Sequence, residues 1–208
     1  RIGVLGGSVD FAGAPYYAGI SALRVGAELL YLCTAEEAAG PIKSYSPELM
    51  VSSVYSHARI TDPAAAELEQ QAFVDRMQGV LPRLHALCVG PGLGRDEAVL
   101  AATARVLEAA RSQGLPLVVD ADGLWLVTQR PELVSGYGRV VLTPNLMEYR
   151  RLAKAVVGRE GADLEEVCRA LGGAVVLQKG PLDRVFAAGA GLESPLECAE
   201  EGAPRRPG

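Results

Sequence analysis

The sequence has few of the residues that build disulfide or metal-bound frameworks. Its 208 residues include four cysteines and two histidines. The cysteines are Cys33, Cys88, Cys168 and Cys198. They form no CxxC pair, and two lie in apolar runs, which predicts reduced, buried thiols and a reducing compartment. Neither His57 nor His85 has a Ser or Cys partner at a recognisable spacing, so we do not expect a catalytic triad.

Long apolar runs and an excess of positive charge are also absent. No stretch reaches the roughly 20 apolar residues that a membrane span needs, so a soluble protein is expected. The formal net charge of -5 and the pI near 5.2 give no electrostatic reason to expect nucleic acid or an anionic membrane as partner. An anionic substrate would have to be held by local groups. The chain opens with Arg1 and enters a strand almost at once, so no leader is visible.

The composition that is present favours an α/β protein. With 49% hydrophobic and 22% charged residues, the 208 positions can bury the core of one domain, residues 1–208. Strands are predicted over 2–5, 28–34, 49–55, 85–89, 115–120, 139–143 and 174–179, and helices over 15–26, 63–84 and 96–113, with another starting at 36–39. This alternation predicts a three-layer α/β/α sandwich with a mostly parallel sheet, whose ligand site lies outside the carboxyl ends of the strands. From Ala188 the composition favours a hairpin with a frayed end.

A glycine-rich loop, Val89-Gly-Pro-Gly-Leu-Gly-Arg95, follows one predicted strand. Its glycines would let the backbone approach a ligand, and free amides at the next helix start favour anions. The alternative is a tight strand-to-helix turn without a ligand. The loop is not a P-loop, because the Lys and Ser/Thr of that pattern are absent.

Two carboxylates, Asp120 and Asp122, follow the predicted strand 115–120. Such a pair can hold Mg²⁺ through water or orient a polar ligand. The alternative is that Asp122 caps the helix starting near Gly123 while Asp120 accepts backbone hydrogen bonds, and both roles can coexist.

Two further strand ends carry polar residues. Asn145 follows Pro144 and can cap a helix with Glu148 in its first turn, and Arg150 or Arg151 could pair with a phosphate. An ordinary capped helix is the alternative. At the last strand end, Lys179 is suited to act as a positive point charge for phosphate, although an exposed turn lysine would have the same sequence.

The segments GVLGGS, GAPYYAGISALRVGA, IKSYSPELMV, VGPGLGRD, VVDADGLWLV, LTPNLMEYRRL and QKGPLD follow one another along the chain. In this order they resemble the NAD(P)H-hydrate dehydratase family, in particular its eukaryotic branch, from Arg1 to about Asp183 and weakly to Arg206. The resemblance implies a ribokinase-like fold, Mg²⁺, and ATP, or ADP, as phosphoryl donor. The implied reaction phosphorylates the ring hydroxyl of the S epimer of hydrated NADH or NADPH (NADHX, NADPHX), and phosphate then leaves as the ring nitrogen supplies electrons.

The resemblance also implies roles for individual residues. The hydrated dinucleotide would be contacted by Gly92 and by Asn145, Leu146, Met147, Glu148, Tyr149, Arg150 and Arg151. ATP would be contacted by Lys179, Gly180, Pro181, Leu182 and Asp183. From their place beside these residues, and not from the resemblance, we expect Asp120 and Asp122 to hold a metal ion or water indirectly, and the metal ligands themselves are unknown.

The family continues from a segment like EGAPRRPG into a GGQGD loop, whose aspartate activates the substrate hydroxyl. We therefore expect the catalytic aspartate beyond Gly208, an incomplete C-terminal part, and weak activity from these 208 residues alone. The alternatives are a ribokinase-like sugar or hydroxymethylpyrimidine kinase, or a fragment that binds nucleotide without turnover. A cytoplasmic or mitochondrial location is expected, and a homo-oligomer is left open.

Overall fold

The computed structural model describes residues 1–187 and the backbone of residues 196–198. The chain divides into two compact units, Arg1–Val118 and Val119–Gly208, which we describe one at a time as the first and second unit. The single domain stays a prediction, and most of the hairpin expected after Ala188 lies outside the described residues. Within the described part, no helix has the length and apolar character that crossing a bilayer requires.

The first unit alternates strands and helices. Its elements are β1 (Ile2–Leu5), α1 (Gly13–Arg24), β2 (Leu30–Ala35), α2 (Glu36–Tyr45), β3 (Met50–Tyr55), α3 (His57–Ile60), α4 (Ala66–Val80), β4 (Ala86–Val89) and α5 (Glu97–Ser112), and β5 (Leu117–Val119) begins in it. A 3-10 turn, Leu81–Arg83, follows α4. The predicted helix over 63–84 is thus shorter than expected, because Pro82 lacks the backbone N–H that a continuing helix needs.

Parallel strands form the sheet of the first unit in the order β3-β2-β1-β4. Ile2 pairs with Leu30 of β2 on one side and with Ala86 of β4 on the other. On its other side β4 lies next to Pro116, the residue before β5. The N–H of Leu87 in β4 donates to the carbonyl of Pro116 at 2.9 Å. All strands end on one side, so the loops that follow them share one edge.

The sheet of the first unit is buried by apolar side chains, as expected for parallel strands. One cluster of buried residues contains Val4, Leu30, Leu32, Ala38, Ile42 and Leu49. Elsewhere Tyr55 stacks on Phe73 of α4 with ring centroids 4.9 Å apart. Helix α1 packs on β1 and β2, α2 packs on β2 and β3, and α4 packs on β3 and α5.

The second unit contains α6 (Asp122–Gln129), β6 (Val140–Leu142), α7 (Leu146–Val157), α8 (Leu164–Leu171), β7 (Val175–Gln178), β8 (Asp183–Ala187) and β9 (Leu196–Cys198). Strands β6 and β7 are parallel, whereas β8 pairs antiparallel with β7 and with β9. The N–H of Thr143, just after β6, donates to the carbonyl of Val119 at 3.1 Å. The carboxyl ends of β5, β6 and β7 consequently lie side by side.

Three elements differ from the sequence expectation. The short helix expected from 36–39 continues to Tyr45 through Pro41. His57, expected in a polar loop, starts α3, and β7 and β8 form an antiparallel hairpin that the sequence did not predict. Helix α3 has only four residues, and its first N–H groups donate to the carboxylate of Glu37, twenty residues away, which local sequence patterns do not reveal.

Candidate functional site

Two glycine loops follow β1 and β4 in the first unit. We call residues 6–8 the first glycine loop and residues 90–94 the second. The N–H of Gly7 donates to the carbonyl of Pro91 at 3.0 Å, and a Cβ on Gly6 would lie 2.2 Å from that carbonyl oxygen. The two loops therefore touch through their backbones, which only glycine permits at position 6.

Gly92 lies in the second glycine loop with φ +62°, and a Cβ there would be 2.9 Å from the Cβ of Phe11. The sequence suggested free amides at the start of α5, but two of these amides already have a hydrogen-bond acceptor. The carboxylate of Asp96 accepts from the N–H groups of Ala98 and Val99, at 2.9 and 3.2 Å. Because a carboxylate already satisfies this helix end, its attraction for a second anion is reduced.

Three motifs meet in the second unit where β5, β6 and β7 end, and we call Asp120, Asn145 and Lys179 with their turns the strand-end cluster. The backbone N–H of Lys179 donates to the carbonyl of Pro144 at 2.8 Å, which joins the ends of β7 and β6. The Nζ of Lys179 lies 2.7 Å from Oδ1 of Asp120 at the end of β5. The backbone thus fixes the point from which the ammonium group reaches the carboxylate.

Asp120 is followed by a tight turn into α6. Ala121 has φ +49° and ψ -118°, and the N–H of Gly123 donates to the carbonyl of Asp120 at 2.9 Å. The alternative in which Asp122 caps this helix is wrong, because Ala121 occupies the N-cap and Asp122 is the first helical residue. A positive φ at alanine is strained, so this turn is a site feature that the sequence did not reveal.

Helix α7 starts as predicted. The side-chain oxygen of Asn145 accepts from the N–H groups of Met147 and Glu148, each at 3.0 Å, and the carboxylate of Glu148 accepts from the N–H of Asn145 at 2.8 Å. This is a complete capping box, which stabilises the first turn. The capping role is therefore confirmed, while a substrate role for either residue stays a prediction.

The other residues of the predicted run 145–151 have different surroundings. Leu146 and Met147 are about half exposed, at 49% and 54%. Tyr149 is buried, and its hydroxyl donates to the carbonyl of Ala162 at 2.8 Å, so it belongs to the core of the second unit. Burial raises the pKa of this phenol to about 12. Arg150 is exposed, and the guanidinium of Arg151 lies 5.8 Å from the centroid of the Trp125 ring.

The turn from Lys179 to Asp183 connects β7 with β8. Its Gly180 N–H donates to the Asp183 carboxylate at 2.9 Å, which closes the turn. Gly180, Pro181 and Leu182 are exposed. The turn therefore exposes the side chains of Pro181 and Leu182 and the backbone of Gly180.

No preformed metal centre is present among the described residues, because no three His, Cys, Asp or Glu side chains come together. A cation could be held only by one or two carboxylates together with ligand oxygens, which is how Mg²⁺ is usually bound beside phosphates. Among the described residues Cys33, Cys88 and Cys168 form no disulfide, and burial raises the pKa of Cys33 and Cys168 to about 12. Both buried thiols are therefore protonated at neutral pH.

The sequence is similar to a described family over almost its whole length. Residues 2–204 match the sequence profile of the family NAD(P)H-hydrate dehydratase. The chain is 48% identical over 215 residues to the ATP-dependent (S)-NAD(P)H-hydrate dehydratase of Bos taurus, with 100% of this chain and 60% of that protein covered. For the protein of that name from Homo sapiens the identity is 45%, with 100% of this chain and 57% of that protein covered. The chain thus spans about three fifths of the length of these relatives.

Solved structures share the fold. A ribokinase-like superfamily protein from Enterococcus faecalis matches with a TM-score of 0.71 at 23% identity, covering 95% of this chain and 62% of that one. The ADP/ATP-dependent NAD(P)H-hydrate dehydratase from Bacillus subtilis, crystallised with ATP/Mg²⁺ and soaked with CoA, matches with a TM-score of 0.58 at 22% identity, covering 89% and 61%. The predicted α/β, ribokinase-like fold is confirmed.

Proposed function

Because the chain belongs to the NAD(P)H-hydrate dehydratase family, we propose that it serves the ATP-dependent conversion of the S epimer of hydrated NADH or NADPH back to NADH or NADPH. This is a lyase reaction that repairs nicotinamide nucleotides. The observation that carries the proposal is the strand-end cluster, where the backbone of Lys179 bonds to Pro144 beside the Asn145-capped helix start and its ammonium group pairs with Asp120.

Lys179 is proposed to hold the phosphates of ATP. Its ammonium group has three N–H donors, of which Asp120 engages one, so donors remain for phosphate oxygens. The side chain is 41% exposed, so a ligand can reach it. The exposed turn of Gly180, Pro181 and Leu182, which Asp183 closes, is proposed to contact the rest of the nucleotide.

The run from Asn145 to Arg151 is proposed to contact the hydrated dinucleotide, and the role expected of Gly92 stays a prediction. The exposed side chains of Leu146 and Met147 offer apolar surface to a ring, and the exposed Arg150 offers a guanidinium group to a phosphate. Tyr149 is proposed to act through its burial, by anchoring α7. The base that takes the proton of the substrate hydroxyl is assigned to no residue of the 208.

Magnesium is proposed to enter with the nucleotide and not to occupy a site of its own. Among the described residues no three such ligands come together, which suits a cation whose other ligands are phosphate oxygens and water. Bound in this way, the cation would neutralise charge on the transferring phosphoryl group. Location in the cytoplasm or mitochondrion stays a prediction.

The reaction itself provides the test. Full-length protein is mixed with NADHX, ATP and Mg²⁺, and formation of NADH is followed by absorbance. We expect NADH to form only when ATP is present. If instead no NADH forms and a sugar or hydroxymethylpyrimidine is phosphorylated, the proposal is wrong and the protein is a kinase of the same fold.

Calorimetry on the 208-residue chain tests the binding part separately. We expect ATP and NADPH each to bind, since the strand-end cluster lies within the chain. Binding without turnover would show a ligand-binding fragment. Absence of binding by a folded chain would remove the residue assignments given above.

A further inference from the structure

The strand-end cluster has an unfavourable charge balance for a site that should bind anions. The motifs 120–122, 145–151 and 179–183 contain four acidic residues and three basic ones. The acidic residues are Asp120, Asp122, Glu148 and Asp183, and the basic ones are Arg150, Arg151 and Lys179. Their sum is one negative charge, whereas a triphosphate and a dinucleotide both bring further negative charge. Something must offset this repulsion when the nucleotide binds.

The imbalance is sharpest at Lys179. Its Nζ lies 2.7 Å from Oδ1 of Asp120, and the two side chains are 41% and 30% exposed. A pair at this distance presents almost no net charge to a ligand a few ångströms away. Lys179 can donate hydrogen bonds to a phosphate, but Asp120 cancels most of its long-range attraction.

The backbone holds Asp120 in this position. Among the described residues, Ala121 is the one non-glycine residue with positive φ, at +49°. Its dihedral angles are those of the second residue of a type II′ turn, where glycine is preferred because it has no Cβ. This turn connects β5 directly to α6. Asp120 therefore lies at the edge of the sheet, beside Lys179. A strained residue next to a ligand edge indicates that the placement of Asp120 serves function.

We infer that Asp120 makes nucleotide binding at Lys179 depend on a divalent cation. The inference rests on the proposed function. The neutralised ammonium attracts an uncomplexed triphosphate weakly, and the Asp120 carboxylate repels it. A triphosphate that carries Mg²⁺ has two fewer negative charges and brings a cation which the same carboxylate attracts, through water or directly. Asp120 therefore selects metal-bound nucleotide over free nucleotide.

The test is a series of variants that change the charge of the pair in steps. The measured quantity is the ratio of two dissociation constants of the full-length protein, that for ATP in EDTA divided by that for ATP with excess Mg²⁺, both from calorimetry. Asp120→Asn leaves the pair with one positive charge, Lys179→Met leaves it with one negative charge, and the double variant is neutral again. A purely structural role of Asp120 would not order the ratio by charge.

We expect Asp120→Asn to lower the ratio about fivefold or more, because free ATP binds more tightly. Lys179→Met should raise the ratio, and the double variant should return near the wild-type ratio while binding both forms more weakly. Lys154→Met is the matched control: this lysine is also exposed and paired, 3.5 Å from Glu160, but lies outside the cluster. Its ratio should equal that of the wild type.

A ratio that is unchanged in Asp120→Asn, or that moves in the same direction in both single variants, would overturn the inference. Melting curves exclude unfolded variants, and Asp120→Ser provides a second removal of the charge if Asp120→Asn does not fold. If the wild type forms NADH from NADHX but the ratio does not follow charge, only this inference is wrong. If the wild type forms no NADH, the proposed function is wrong, and the ratio still measures the role of Asp120 in binding ATP.

Discussion

The hydroxyl of Thr34, at the end of β2, packs so closely against Gly7 that a Cβ on Gly7 would lie 2.3 Å from Thr34 Oγ1. Gly7 also has φ +85°, and its carbonyl accepts a hydrogen bond of 3.3 Å from the hydroxyl of Tyr55 at the end of β3. The first glycine loop is therefore fixed by side chains from β2 and β3. Burial, and then the charges of Glu37 and Asp96, raise the pKa of Tyr55, so its hydroxyl remains a donor at any physiological pH.

Thr34 is fully buried, and within the described part its hydroxyl has no hydrogen-bond partner. We predict that Thr34→Val raises the free energy of unfolding by about 1 kcal/mol, because it keeps the shape of the side chain and removes an unsatisfied polar group. Urea titration measures this change. Thr34→Ala is the control and should lower stability, since it also removes a packed methyl group. A loss of stability in Thr34→Val would mean that the hydroxyl has a partner, such as a buried water molecule.

Two substitutions at Asn145 separate its capping role from its proposed substrate role. Asn145→Ala removes the side-chain oxygen that accepts from Met147 and Glu148 and should lower the free energy of unfolding by about 1 kcal/mol. Asn145→Asp keeps a good cap and should preserve stability, but it adds a negative charge where the dinucleotide is proposed to bind. We expect NADPH affinity, measured by calorimetry, to fall in both variants. Unchanged NADPH affinity in Asn145→Asp would remove Asn145 from the substrate site.

The parts of this site that the sequence predicts are those with a local signature. Strand β1 was predicted with the bounds that it has, Ile2–Leu5, because an apolar run ends there in two glycines. The capping box was predictable because Asn145 precedes Glu148 by three residues, the spacing that the motif requires. The order of strands and helices predicted the fold class for the same reason, because each element can be recognised from the periodicity of its own residues.

The remaining features depend on contacts between distant residues. Asp120 and Lys179 are 59 positions apart, and only the adjacent ends of β5, β6 and β7 bring them together. The positive φ of Ala121 could not be predicted, because alanine carries no signal for a conformation that glycine usually adopts. Likewise, the N-cap is Ala121 and not Asp122, because the strained turn starts the helix one residue earlier than the sequence suggested.

The strain at Ala121 can itself be measured. We predict that Ala121→Gly raises the free energy of unfolding by about 1 kcal/mol, since the relief of strain outweighs the added entropy of the unfolded chain. Ala101→Gly, on the exposed face of α5, is the matched control and should lower it by about 1 kcal/mol, because there the same change only weakens a helix. Chemical denaturation of both variants measures the two changes in the free energy of unfolding. Equal losses in the two variants would show that position 121 is not strained.

A buried carboxylate in the first unit predicts how stability depends on pH. Glu69 is 7% exposed, accepts from the N–H of Ser56 at 2.8 Å and pairs with Arg59 at 3.1 Å. Burial pushes the pKa of Glu69 upward, but the hydrogen bonds from Arg59 and Ser56 and the charges of Arg59 and Arg76 bring it below its ordinary value of 4.5. Because the pKa is lowered by folding, the ionised group contributes stability above pH 4.5 that is lost as the pH falls through the folded-state pKa.

We predict that Glu69→Gln lowers the free energy of unfolding by about 1 to 2 kcal/mol at neutral pH and weakens its decline below pH 4.5. The neutral amide loses the ion pairs at every pH, so it has less stability to lose on acidification. Melting temperatures across this range measure the effect. Glu67→Gln, on the exposed side of the same helix, is the control and should keep the wild-type profile. Parallel acid profiles for wild type and Glu69→Gln would show that Glu69 is not the group whose protonation destabilises the first unit, and would point to Glu37, whose pKa is also lowered.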